Sequence, residues 1–223
     1  MKKNTWSSKI LFIAGLFLVM AATSFAQDSR VEINPFFGYT FSDGVTIDPV
    51  SAGGEVYNAI NASSGAAFGI NFGVFVTEQV EVGFLWAREF STLQGEGSTT
   101  TDFTDMNIDN YLGVITYNFG DDDVTARPFI IGGIGATTFA PADIGGQSVE
   151  SLTKFTGTFG GGVKVYPNPR FGVTAMLRWT PNYIKSDPAG VWCSPYWFYG
   201  CYVLSDAQYA NQFEFSGGIS LRF

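Results

Sequence analysis

Four acids and four bases carry most of the chemistry this sequence could do: Glu32, Glu81, Glu89 and Glu214, with Lys164, Arg170, Arg178 and Arg222. Each falls on the polar face of a segment whose other face is apolar. A pair of carboxylates such as Glu81 and Glu89 could pass a proton. With four bases on the same face, ion pairing is the expected role, because an unpaired charge in a confined interior is costly. The sequence contains no histidine, the side chain whose ordinary pKa best suits a general base near neutrality. A Ser–His–Asp arrangement is therefore excluded, and no catalytic residue is expected. The glycine-rich runs at 132–135 and 160–162 lack the lysine–serine/threonine ending and following helix of a phosphate loop. They read as strand glycines that allow close backbone approach, so no cofactor site is expected.

Cys193 and Cys201 lie eight positions apart in an aromatic, loop-like stretch. Without histidine they make a poor metal site, and no metal is expected. In an exported chain they suit a disulfide that staples the loop; a redox-active pair would more usually show C-x-x-C spacing. The loop tip holds six aromatics, Trp192, Tyr196, Trp197, Phe198, Tyr199 and Tyr202. Rigid rings on a constrained loop suit recognition of an extracellular ligand, and packing over a barrel mouth or onto lipid headgroups is the alternative.

The elements that must position these groups begin after a distinct N-terminal segment. Lys2, Lys3 and Lys9 precede the apolar stretch Ile10–Ala22, and Ser24-Phe25-Ala26 forms a small-x-small cleavage site. Residues 1–26 thus read as a cleavable secretory signal peptide, with a core too short for a transmembrane helix. Removing them takes away three lysines and no acid from a chain of formal charge −8, leaving 27–223 as a more acidic single domain. Its phosphate-repelling charge makes nucleic acid a poor partner.

No stretch after the signal is long and apolar enough for a helical span. Alternation with period two recurs instead, in segments bounded by Gly, Asp, Asn, Pro and Ser. Val31, Ile33, Phe37, Tyr39 and Phe41 oppose Glu32, Asn34, Phe36, Gly38 and Thr40. Phe68, Ile70, Phe72 and Val74 share an apolar face, as do Val80, Val82, Phe84 and Trp86. Phe155, Phe159, Val163 and Val165 share another, followed by Phe171, Val173, Leu177 and Trp179. In the last strand Phe213, Phe215, Ile219, Leu221 and Phe223 oppose Glu214, Ser216, Gly218, Ser220 and Arg222. Residues 108–119 point Tyr111, Ile115, Tyr117 and Phe119 outward, and 127–139 is a strand whose faces the pattern leaves open.

Eight strands result, joined alternately by short turns (77–79, 120–126, 167–170) and longer connections (42–64, 92–105, 140–153, 182–210). That asymmetry is expected of an all-β, eight-stranded, antiparallel up-and-down transmembrane barrel with four long extracellular loops and short periplasmic turns. A soluble ligand-binding barrel would turn the apolar face inward. The balanced charges of the polar face fit a narrow lumen, and the aromatic face fits lipid. The acidic loop residues, including Asp43, Asp48, Glu55, Glu96, Asp102, Asp105, Asp143 and Glu150, suit either solubility or divalent cations that bridge to lipopolysaccharide phosphates.

The final strand, Phe213-Glu-Phe-Ser-Gly-Gly-Ile-Ser-Leu-Arg-Phe223, resembles the signal read by the outer-membrane assembly machinery, with Phe223 as its terminal aromatic. Gly160-Gly-Gly-Val-Lys-Val-Tyr166, a short turn and Phe171-Gly-Val-Thr-Ala-Met-Leu-Arg-Trp179 resemble the sixth and seventh strands of small barrels of the outer-membrane-protein-A and opacity-protein type. The resemblance spans roughly residues 30–223 and includes no peptidoglycan-binding domain. It implies a bacterial outer-membrane location after export, with outer-membrane lipid, lipopolysaccharide and the assembly machinery as partners. The role expected is structural or surface-interaction with a side-chain-filled lumen. A narrow ion or small-solute channel is the main alternative, and a lipid-modifying barrel enzyme a lesser one.

Overall fold

The computed structural model describes residues 31–52, 55–120, 125–143, 150–184, 192–194, 200–202 and 208–223; backbone alone is described at 45–52, 55, 184, 192–194, 200–202 and 208–209. The expected signal peptide lies outside the described residues. β-Branched and aromatic residues at alternate positions favour extended chain, because one face can be buried and the other left outward. The elements are β1 (Val31–Ser42), β2 (Val45–Ala52), β3 (Glu55–Ala62), β4 (Gly65–Phe75), β5 (Val80–Gly97), β6 (Thr100–Asn118), β7 (Ala126–Pro141), β8 (Leu152–Asn168), β9 (Phe171–Ile184), β10 (Trp192–Ser194), β11 (Gly200–Tyr202) and β12 (Gln208–Arg222).

Eight of them form a closed antiparallel barrel in the order β1–β4–β5–β6–β7–β8–β9–β12, with β12 returning to β1. The closing pair begins where Val31 and Phe223 exchange backbone hydrogen bonds, 3.3 and 2.9 Å long. Alternate residues of β1 from Val31 onward direct their backbone groups at β12, and Pro35 is one of them. It has no N–H to donate. The β1–β12 register is interrupted there, running from Ile33↔Leu221 to Phe36↔Gly218.

The short turns are built from local side-chain caps. Thr77 Oγ1 accepts from the amides of Gln79 and Val80, and Asn168 Oδ1 accepts from those of Arg170 and Phe171. Gly120, at φ 85°, starts the third turn in the left-handed region that favours glycine.

Two of the expected long connections are different in kind. Residues 42–64 are not an irregular loop: β2 and β3 form a hairpin that adds to the upper part of β5. Residues 92–105 are not a loop either, since β5 and β6 stay paired up to Glu96↔Thr100. The cause is the partner: β3 lies against the extension of β5 and satisfies its outer backbone edge. Met106, Ile108 and Phe139, packed with Ala62 and Leu93, give this raised wall a small apolar core. The strand left without an assigned face, β7, turns Arg127, Phe129, Ile131, Thr137 and Phe139 inward and Ile130 and Ile134 outward.

Candidate functional site

The lumen is filled by three layers of side chains. Near the short turns, Glu32 enters from β1, Glu81 from β5, Lys164 from β8 and Arg222 from β12. Lys164 Nζ lies 2.7 Å from Glu32 Oε1 and 2.9 Å from Glu81 Oε2, and Arg222 Nε lies 3.0 Å from Glu32 Oε2. The Tyr166 hydroxyl donates to Glu32 Oε2 at 2.6 Å, and the Arg222 guanidinium lies 3.8 Å from the centre of the Tyr166 ring. Two acids and two bases thus neutralise one another in a space where all four are buried.

Above them Phe36, Leu85, Ala87, Leu112, Val114, Phe129, Ile131 and Met176 form an apolar layer. Gly160 and Gly162 make room for it: a Cβ at these positions would meet the Leu177 and Ala175 carbonyl oxygens at 2.5 and 2.0 Å. The glycine run therefore serves strand contact, as the sequence suggested. A cavity of about 20 Å³, lined in part by Asn34, Phe36, Asn71, Thr116 and Met176, is left beside this layer, room for about one water molecule.

The upper layer is polar again. Arg178 Nη2 pairs with Glu214 Oε2 at 2.5 Å. Glu89 accepts from Ser42 Oγ at 2.9 Å and from Gln212 Nε2 at 2.6 Å. Around it, Asn182 donates to Gln212 Oε1 at 3.2 Å, and Thr158 and Thr180 share a hydroxyl contact of 3.2 Å.

Seven of the eight expected lumen charges are therefore inside and buried. Arg170 is not. It stands exposed in the β8–β9 turn, because the Asn168 cap bends the chain before the alternation of β9 begins. Alternation carried one position too far placed it inside. In its stead the lumen contains Arg127, fully buried, whose Nη2 donates to the carbonyls of Glu78 and Gly120 and ties two short turns together. Tyr166 was also missed. Its parity with Lys164 carried the signal, as did that of Arg127 with Phe129 and Ile131.

The outward face is the converse. Among the described strand residues it carries no charge from the short-turn end up to one ion pair, Arg88 with Asp109. Arg88 Nε and Nη2 reach the two carboxylate oxygens, both at 2.8 Å, and the guanidinium lies 5.9 Å from the Trp86 ring centre. Other outward polar contacts occur towards the same end: Trp179 Nε1 donates to Asn211 Oδ1 at 3.1 Å, Thr138 and Thr153 hydroxyls meet at 3.0 Å, and Tyr39 donates to the Ser64 carbonyl at 3.3 Å. Below them lie Phe37, Phe72, Phe84, Ile115, Ile134, Phe159, Leu177 and Phe215, all exposed. Tyr117, bonded to Gln79, packs edge-on against Phe119 at the short-turn rim. An uncharged apolar band between two aromatic and polar rims is a surface matched to a bilayer.

In the fourth long connection the backbone of β10 pairs with β11 so that Cys193 faces Cys201 and Trp192 faces Tyr202. Tyr196, Trp197, Phe198 and Tyr199 lie outside the described residues. Phe223, exposed at the foot of the closing pair, follows directly on β12.

No protein-family model matches the chain, and no curated protein matches it. Its fold is found among solved structures. The outer membrane protein OprG from Pseudomonas aeruginosa aligns with a TM-score of 0.59 at 12% identity, over 87% of this chain and 96% of that one. Neisserial surface protein A gives 0.54 at 15% identity, over 87% and 97%. The outer membrane protein AlkL in lipid bilayers gives 0.51 at 14%, over 86% and 90%. With its charges inside, its aromatic band outside and eight strands closed upon themselves, the chain has the fold of the small outer-membrane β-barrels.

Proposed function

We propose that this chain is an integral bacterial outer-membrane barrel with a closed lumen, exported by its signal peptide, whose role is structural or lies in surface interaction. The observation that carries the reading is the apolar layer between two buried charge clusters. An eight-stranded barrel is just wide enough for side chains, and here the cavity beside that layer is about 20 Å³. The non-enzymatic reading rests on the lack of histidine and on the use of the lumen carboxylates in ion pairs and hydrogen bonds. In planar bilayers the refolded protein is expected to give no stable conductance steps; reproducible steps would establish the narrow-channel reading instead.

The surfaces available for interaction are the raised wall of β2, β3, β5 and β6 and the fourth connection. Outer-membrane lipid and lipopolysaccharide suit the apolar band and its rim, and the terminal Phe223 strand suits the assembly machinery. The Cys193–Cys201 disulfide is supported by the β10–β11 register, since directly opposed residues of an antiparallel pair have Cα atoms about 4.5–5.5 Å apart, inside the range a disulfide spans. Alkylation of denatured, unreduced protein is expected to leave both cysteines unlabelled, with two labels added after reduction. Two labels without reduction would remove the staple.

A further inference from the structure

We infer that the apolar layer of the lumen holds one structural water molecule, bound to Thr116 Oγ1, Ser216 Oγ and Asn71 Oδ1. The first ground is the cavity beside that layer. Its volume of about 20 Å³ exceeds the roughly 10–15 Å³ that one water needs. Phe36, Phe129, Ile131 and Met176 line it on the apolar side, and Asn71, Thr116 and Ser216 supply polar lining.

The second ground is the bonding of those three polar residues. Thr116 and Ser216 are each 1% exposed, and the hydroxyl is the one polar atom in either side chain. Neither hydroxyl has a hydrogen-bond partner among the described residues, and neither has the Asn71 side-chain oxygen, itself buried. A buried polar atom left unbonded costs free energy, and here three such atoms belong to residues around one small space. Other polar residues of the lining are already engaged. Asn34 Nδ2 donates to Thr174 Oγ1 and to Ser220 Oγ, both at 2.8 Å, and Lys164 pairs with Glu32 and Glu81.

The third ground is the chemistry of the donors and acceptors. An amide oxygen only accepts, whereas a hydroxyl both donates and accepts. A water can donate to Asn71 Oδ1 and share one hydrogen bond with each hydroxyl, which makes the three bonds typical of a buried water. Lys164 on the lining disfavours a cation, and the Asn71 oxygen disfavours an anion, so a neutral molecule fits. The three partners come from β4, β6 and β12, no two of which are neighbours in the barrel. The water thus ties together, across the lumen, strands that share no ladder.

The inference rests on the closed-lumen reading, and its test is a double-mutant cycle on the urea midpoint of protein refolded into vesicles. Thr116→Val keeps the shape of the side chain and removes its hydroxyl; Ser216→Ala removes the other. In a dry cavity each change would delete an unbonded buried hydroxyl and raise the midpoint. With the water bound, each is expected to lower it. Together they are expected to lower it by less than the sum, because either change already loosens the shared water. An unchanged or higher midpoint in either single variant, or a double loss that reaches the sum, would overturn the proposal. Should a variant not fold, a crystal structure of the unmodified protein decides. Density within hydrogen-bond distance of Thr116 Oγ1 and Ser216 Oγ supports the site, and an empty cavity refutes it. Conductance steps in planar bilayers would remove the closed lumen itself, whereas a raised midpoint without such steps would remove the water alone.

Discussion

Replacing Lys164 with methionine is expected to destabilise the barrel by about 3–5 kcal/mol, the range for removing one partner of a buried ion pair. Lys164 is the only base that contacts Glu81 among the described ion pairs, and it shares Glu32 with Arg222. Its loss strands Glu81 and takes one of two bases from Glu32, in a space closed above by the apolar layer. The measurement is the urea midpoint of the compact, heat-modifiable gel species of protein refolded into vesicles. Adding Glu81→Gln to Lys164→Met is expected to return much of the loss, since Glu32 keeps Arg222 and the Tyr166 hydroxyl. An unchanged midpoint in the single variant would mean that water already reaches the lower layer.

The second large effect is on the opposite face. Leu177 is 63% exposed, and on a protein surrounded by water a charge there would cost little. Facing the middle of a bilayer, Leu177→Arg is expected to cost about 2–4 kcal/mol, whereas Thr153→Arg, towards the extracellular rim, costs about 0–1 kcal/mol. The same vesicle assay reads both. Equal, small effects would contradict the outward orientation of the aromatic band.

Much of this arrangement was legible before any coordinates. Alternation assigns faces because a strand has a fixed period of two, so Glu32, Glu81, Glu89, Lys164, Arg178, Glu214 and Arg222 could be placed together without knowing which neighbours they touch. The three layers could not be read that way: they depend on the stagger between strands, which sets Lys164 beside Glu81 rather than Glu89. Parity also fails where chain direction is reset by a cap, as at Arg170. It gave no answer in β7, where Ile130, Ile131 and Ile134 put similar residues on both faces. The hairpin of β2 and β3 was hidden for another reason. Pro49 and its small polar neighbours resemble a loop, and only a partner strand makes them extended. Arg88 and Asp109 illustrate the last limit, since an outward ion pair is visible only when two strands are in register.

Pro35 sits in the one pairing of the barrel wall that joins the first strand to the last. The β1–β12 pair joins residues as far apart in the chain as Glu32 and Arg222, so among the barrel pairings it bears a large loop-closure cost. Pro35 also removes one backbone donor from it. Seven pairings can form between strands adjacent along the barrel's course, while this one needs both chain ends to meet. Closure of the sheet into a cylinder at this pair is therefore expected to come last. The Glu32–Arg222 ion pair and the Val31–Phe223 backbone exchange stand at the periplasmic end of that join, where they fasten the cylinder once its two edges have come together.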